Sequence, residues 1–172
     1  MAKSSQCRSA ACSQPRCDRV TRPIIIDSSL LVLLVVGAAG KELIAGHKRL
    51  RHFSTSDFDL LASILRRYSP VIATPNVWTE TSNLARQISE PARTKVGGVM
   101  RGIMNRAQEA YIASAEAGAA EEFLRLGLAD CALLEVKPTL APILTADLDL
   151  YLAAWKRGRT AINFNHFREV AT

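Results

Sequence analysis

The chain has little of what builds a transition-metal centre. Its 172 residues include 3 His and 4 Cys, and aromatic side chains make up only 6%. Cys7, Cys12 and Cys17 lie five apart near the start, with no His beside them and no short Cys-x-x-Cys pair, so a zinc knuckle is not expected there. Cys131 stands alone in an apolar stretch and reads as a small core residue. Nothing in this usage demands an oxidising compartment, and the expected location is cytoplasmic. No apolar run is long enough to span a bilayer, so no membrane association is expected. Residues 23–172 contain neither an internal repeat nor a low-complexity stretch, which leaves one domain with a real core.

The net charge of +6 is unevenly spread. Residues 1–22 carry Lys3, Arg8, Arg16, Arg19 and Arg22 against Asp18, a net +4. They read as a disordered extension outside the fold. A second basic stretch holds Arg86, Arg93, Lys95, Arg101 and Arg106 against Glu90, again +4, so the remainder is −2. An acidic centre beside a basic surface suits an enzyme acting on a polyanion, although a basic helix face can also be merely solvated. The basic start, the apolar run 30–36 and Gly37-Ala38-Ala39-Gly40 resemble a secretory signal. Against export, Pro23 and Asp27 interrupt the approach to that run, and Ile24-Ile25-Ile26 needs a sheet to join.

Short apolar strands are expected at 23–27, 71–73, 142–145 and 160–164, with a further one at 111–113. Helices are expected between them. Ser28 or Ser29 caps the first, which Gly37 or Gly40 ends; a short helix follows at 41–50. Residues 57–68 place Phe58, Leu61, Ile64, Leu65 and Tyr68 on one face. Thr74-Pro75 is a helix start, with Thr as cap and Pro at the first position. Further helices are expected at 92–106, at 115–126 closed by Gly127, from Asp130 to before Pro138, and at 147–157 ended by Gly158. Strands without polar alternation, separated by helices, imply a three-layer α/β/α fold with a mainly parallel central sheet.

Four carboxylates fall in or beside these buried runs. Asp27 ends the three isoleucines, Glu80 lies on the helix that follows Val71-Ile72-Ala73, Asp130 opens an apolar helix, and Asp147 ends Ile143-Leu144-Thr145-Ala146. Isolated buried carboxylates are costly. Asp130 and Asp147 are each explicable as helix caps, Glu80 as a solvent-facing residue, and Asp149 competes with Asp147. Asp27 has the least evident structural reason to be where it is. If the fold gathers all four, repulsion of about 4 kcal/mol per close pair calls for cations. Oxygen-only ligands select Mg²⁺ or Mn²⁺. His47, His52 and His166 are expected on the surface or in loops.

The segments 24–31, 74–84, 126–134 and 144–150, which carry these acids in order, resemble the PIN-domain family, which includes the VapC-type toxins of bacterial toxin–antitoxin pairs. Asn163-Phe164 resembles that family's closing strand, and the likeness spans about residues 23–167. The resemblance implies a Mg²⁺- or Mn²⁺-dependent ribonuclease with Asp27, Glu80, Asp130 and Asp147 as the catalytic, metal-binding quartet. It further implies supporting roles for Ser28, Asn83 and Thr145, an RNA substrate and an antitoxin partner, while the unusually apolar stretch after Asp27 reads either as a buried helix or as the contact of a homodimer. Arg86, Arg93, Lys95, Arg101 and Arg106 would then face RNA. The alternatives are an inactive PIN-like domain that binds RNA or protein, and a phospho-acceptor or phosphatase domain on a similar sheet. The latter two usually pair acids around the first strand, where this chain has Ser28-Ser29.

Overall fold

Ile24, Ile25 and Ile26 are fully buried, and the sheet is built outward from them. The computed structural model describes residues 22–137 and 141–170. The extension expected over residues 1–22, with Cys7, Cys12 and Cys17, lies outside the described residues except for Arg22. Strands β1 (Arg22–Ile26), β2 (Tyr68–Ala73), β3 (Gln108–Glu109), β4 (Ile143–Thr145) and β5 (Ala161–Asn163) form one sheet in the order β3-β2-β1-β4-β5. Every pairing is parallel, with Ile25 opposite both Ile72 and Ile143. Helices flank the sheet, giving the expected three-layer α/β/α architecture. All carboxyl ends therefore open on one edge, and the strand order reverses between β1 and β4. That is where a sheet of this kind leaves a crevice.

Helix α1 (Ser28–Ala39) is apolar nearly all round because it is buried along most of its surface, with Ala38 exposed near its end. The run that resembles a signal sequence is thus the central helix of the fold. It packs against α2 (Glu42–Gly46), α3 (Thr55–Leu65), α4 (Pro75–Ala85) and α5 (Ala92–Met104). Each fully buried Leu or Val contributes about 1.5–3 kcal/mol. Helix α1 runs on past Gly37, and Gly40 caps it through its N–H to the Val36 carbonyl at 3.0 Å. Gly37 is there for space: a Cβ would stand 2.2 Å from the Phe58 ring. Among the described residues no helix is long and apolar enough to cross a membrane.

Several element boundaries differ from expectation for identifiable reasons. Tyr68 belongs to β2 rather than to α3, because the chain must already be extended where Arg22 pairs with it. The strand expected at 111–113 is instead β3 at Gln108–Glu109, where hydrogen bonds to Ile72 and Ala73 are available. Tyr111 lies beyond that edge, 77% exposed. The single helix expected at 115–126 is two, α6 (Ser114–Gly118) and α7 (Phe123–Leu126), and the break turns Glu122 inward. Helix α8 (Leu128–Glu135) starts two residues earlier than expected, and α9 (Leu148–Lys156) is as read. A last helix, α10 (Phe164–Val170), was not expected. Arg168 fastens it, donating to the Asp57 carboxylate at 2.8 Å and to the His52 carbonyl at 2.7 Å.

Helix propensity alone favours Gly37→Ala by about 1 kcal/mol. The Phe58 contact reverses the sign. The substitution is expected to destabilise the protein by about 1–3 kcal/mol in urea unfolding, and Gly37→Ala combined with Phe58→Ala should relieve the overpacking part of that loss.

Candidate metal centre

Asp27 leaves β1 and has a structural duty that the sequence did not betray: it, and not Ser28 or Ser29, caps α1. Its Oδ1 accepts from the Leu30 N–H at 2.8 Å and from Ser29 Oγ at 3.0 Å. Its Oδ2 accepts from the hydroxyl of Thr145 and from the Ala146 N–H at 3.2 Å. The second pair belongs to the end of β4, so one side chain ties the two strands on either side of the crevice. Burial pushes the Asp27 carboxyl above its usual range, against the pull of those four hydrogen bonds.

The other three acids arrive from separate elements. Thr74 caps α4 through Oγ1 and the Val77 N–H at 3.3 Å, and the helix then carries Glu80 to the cavity wall. Gly127, with φ +82°, closes α7 and starts α8 directly, which a side chain at that position would strain. Asp130 is therefore the third residue of α8 rather than its cap, near the positive end of the helix. Asp147 does cap α9, accepting from Asp149 N at 2.6 Å and Leu150 N at 3.1 Å. Arg157 holds this side together: it makes a bidentate pair with Glu122 and meets Glu135 at 2.5 Å, fastening the α7 and α8 segments to the end of α9. Arg159, buried, donates to the Leu133 and Leu134 carbonyls at the end of α8.

The result is one cavity of about 870 Å³ with Asp27, Glu80, Asp130 and Asp147 on its wall. Among the described residues, no Lys, Arg or His lines it. Burial, followed by the charges of Asp27, Asp147 and Glu80, pushes the Asp130 carboxyl up to about 7. All three neighbours thus lie close enough to act on it. Among the described residues, however, no group of three or more His, Cys, Asp or Glu is arranged to hold a metal ion directly. The coupling and the lack of a closed cage are compatible. Mg²⁺ keeps several waters and takes one or two carboxylates, so an open, all-oxygen, net-negative cavity fits a hydrated hard cation better than a stripped one. The saturated Asp27 would have to give up a hydroxyl partner to bind directly.

Ser28 and Asn83 line the same cavity, and Thr145 is fully buried behind Asp27. Asp149 is not part of the wall; it is exposed and paired with Arg125 at 2.7 Å, so Asp147 is the fourth acid of the group. Arg86, Arg93 and Arg101 line an adjoining groove, whereas Arg106 lines a different cleft and Lys95 is exposed outside both. His47 sits in a loop, as expected, and is fully buried there, its Nε2 3.3 Å from the Ala85 carbonyl, and burial lowers its pKa. The wall also includes Ser29, Asn76, Thr79 and Ser114, which the sequence did not single out. For Ser29 and Asn76 a signal was present, since each follows an acid or cap at a strand end within two residues. Compared with protein-family models, curated proteins and solved structures, the chain matches none. Fold and site together define an α/β/α protein with an acidic pocket at its sheet switch point.

A carboxyl raised from 3.8 to about 7 on folding favours the folded state fully below pH 4, and that contribution is lost as pH rises through 7. In EDTA, Asp130→Asn is therefore expected to stabilise the protein at pH 8 by about 1–2 kcal/mol, roughly 3–6 °C in thermal melting. The gain should vanish at pH 4. An equal gain at both pH values would show that charge is not its cause.

Proposed function

We propose that the protein is a divalent-cation-dependent endoribonuclease of the PIN-domain type, acting in the cytoplasm. The observation that carries this reading is the crowding of Asp27, Glu80, Asp130 and Asp147 around one cavity that, among the described residues, no cationic side chain lines. The order of these acids along the chain is the second support, and the reversal of strand order beside them is the third. The antitoxin rests on the family resemblance alone, and the homodimer on the apolar stretch after Asp27, which is the buried helix α1.

In this reading the four carboxylates hold Mg²⁺ or Mn²⁺, which, when bound, supplies neutralising charge and lowers the pKa of water. Thr145 and Ser29 fix the orientation of Asp27. Ser28 and Asn83 offer neutral hydrogen-bond donors to non-bridging phosphate oxygens without weakening the negative field that attracts the cation. With no His or Lys on the wall among the described residues, carboxylate oxygens and water are the proton carriers. The four hydrogen bonds already satisfied at Asp27 favour a second reading, a PIN-like domain that binds RNA without cutting it.

Cleavage of a labelled single-stranded RNA separates the two. The first reading expects cutting with Mn²⁺ or Mg²⁺, none in EDTA, and a loss of more than about a hundredfold in Asp27→Asn and in Asp130→Asn, since even outer partners of a metal are worth 10–100-fold. RNA binding without cleavage under every cation condition would establish the second.

A further inference from the structure

Helix α4 has two working flanks. Glu80 faces the acidic cavity, while Trp78, Ser82, Ala85 and Arg86 face a separate groove between α4 and α5. Thr79 and Asn83 line both, so the two openings adjoin across that ridge. The groove holds about 590 Å³. Its floor is apolar: Trp78 is 5% exposed, Val96 0%, Met100 7% and Met104 42%. Its rim is cationic, with Arg86, Arg93 and Arg101 against the single acid Glu90. Glu90 is occupied with Arg93 at 2.8 Å and with the Thr94 hydroxyl at 2.9 Å, which leaves Arg86 and Arg101 as the rim's positive charges that no acid among the described residues pairs with.

We propose that this groove is a nucleobase subsite for a single-stranded RNA whose phosphodiester enters the acidic cavity. The inference rests on the nuclease reading for its direction and on the groove itself for its chemistry. An unstacked base has an apolar face that wants an aromatic or thioether floor, and it brings a phosphate on either side. A floor of Trp78, Val96, Met100 and Met104 beneath arginines supplies both, next to the place where the strand is cut. The acidic cavity attracts a cation and repels a phosphate in its absence; the arginine rim gives the strand its hold. Charge complementarity selects a polyanion over an apolar or basic partner. Arg86 and Arg101 are positioning residues in this account and touch neither the cation nor the scissile bond.

Gly97 provides a probe that spares the fold. It lies on the groove wall, a Cβ built there meets nothing within 4 Å, and its φ is ordinary for a helix. Gly97→Leu fills the groove at a position where Leu is also the better helix former. Binding is measured in EDTA, so that no cutting intervenes, with a ten-nucleotide single-stranded RNA and an abasic strand of equal length. The wild type should prefer the RNA by about tenfold. Gly97→Leu should abolish that preference and leave the salt dependence unchanged. Arg86→Glu with Arg101→Glu should weaken both ligands at least tenfold and lower the slope of log affinity against log salt by about 1.4. Unchanged RNA affinity in both variants, or failure of the wild type to bind RNA, overturns the subsite. So does tight capture of an acidic amphipathic peptide that RNA does not displace, which would make the groove a protein-docking site. Failure of the nuclease reading looks different: the base preference persists in EDTA, while no cation restores cleavage.

Discussion

The Asp27 carboxylate joins the end of β1 to the end of β4, and the rest of the site is arranged around that link. One oxygen satisfies the first turn of the buried helix α1, and the other takes the Thr145 hydroxyl and the Ala146 amide across the crevice. A carboxylate is well suited to this double task, because it accepts on two oxygens and is strongest toward backbone N–H groups at a helix start. The cost is a buried charge. The fold offsets part of it with four hydrogen bonds, and burial still raises the group above its ordinary range.

The same link brings three more acids within range. Because all five strands are parallel, everything that follows a strand emerges on one edge, and the reversal between β1 and β4 leaves the gap there. Asp147 enters it as the cap of α9, Glu80 from the wall of α4, and Asp130 from the first turn of α8. The charge accumulated in the gap is visible in Asp130, which is driven to about 7 by burial and by its three neighbours. Stability is spent on this concentration of like charge, and a cation would recover it. Structure and proposed activity meet in that exchange. In the proposed function, the arginine-rimmed groove on the far side of α4 is what holds the polyanion that the acids repel.

Much of this was legible in the chain. The helix start at Thr74-Pro75, the isoleucine strand, the closing Gly127 and the four acids in sequence order were all readable, because each depends on local chemistry or on a periodicity that burial preserves. The failures share a different cause. Tyr111-Ile112-Ala113 looks like a strand, but β3 is the polar pair Gln108–Glu109, fixed by the backbone groups of β2 and not by its own side chains. The break between α6 and α7 answers to Arg157, which lies more than thirty residues on in the chain. Asp147 and Asp149 are alike in sequence, and only the distant Arg125 draws one of them away from the cavity. The groove was hidden for the opposite reason, since Trp78, Val96 and Met100 have the spacing of ordinary core residues.

The most direct test of the account is the titration of the Asp130 side-chain carboxyl carbon by NMR in the cation-free protein. The account predicts an apparent pKa of about 7, falling toward the ordinary range in Asp27→Asn and again when saturating Mg²⁺ is added to the wild type. A carboxyl that titrates near 4 and responds to neither change would mean that the four acids do not share a site.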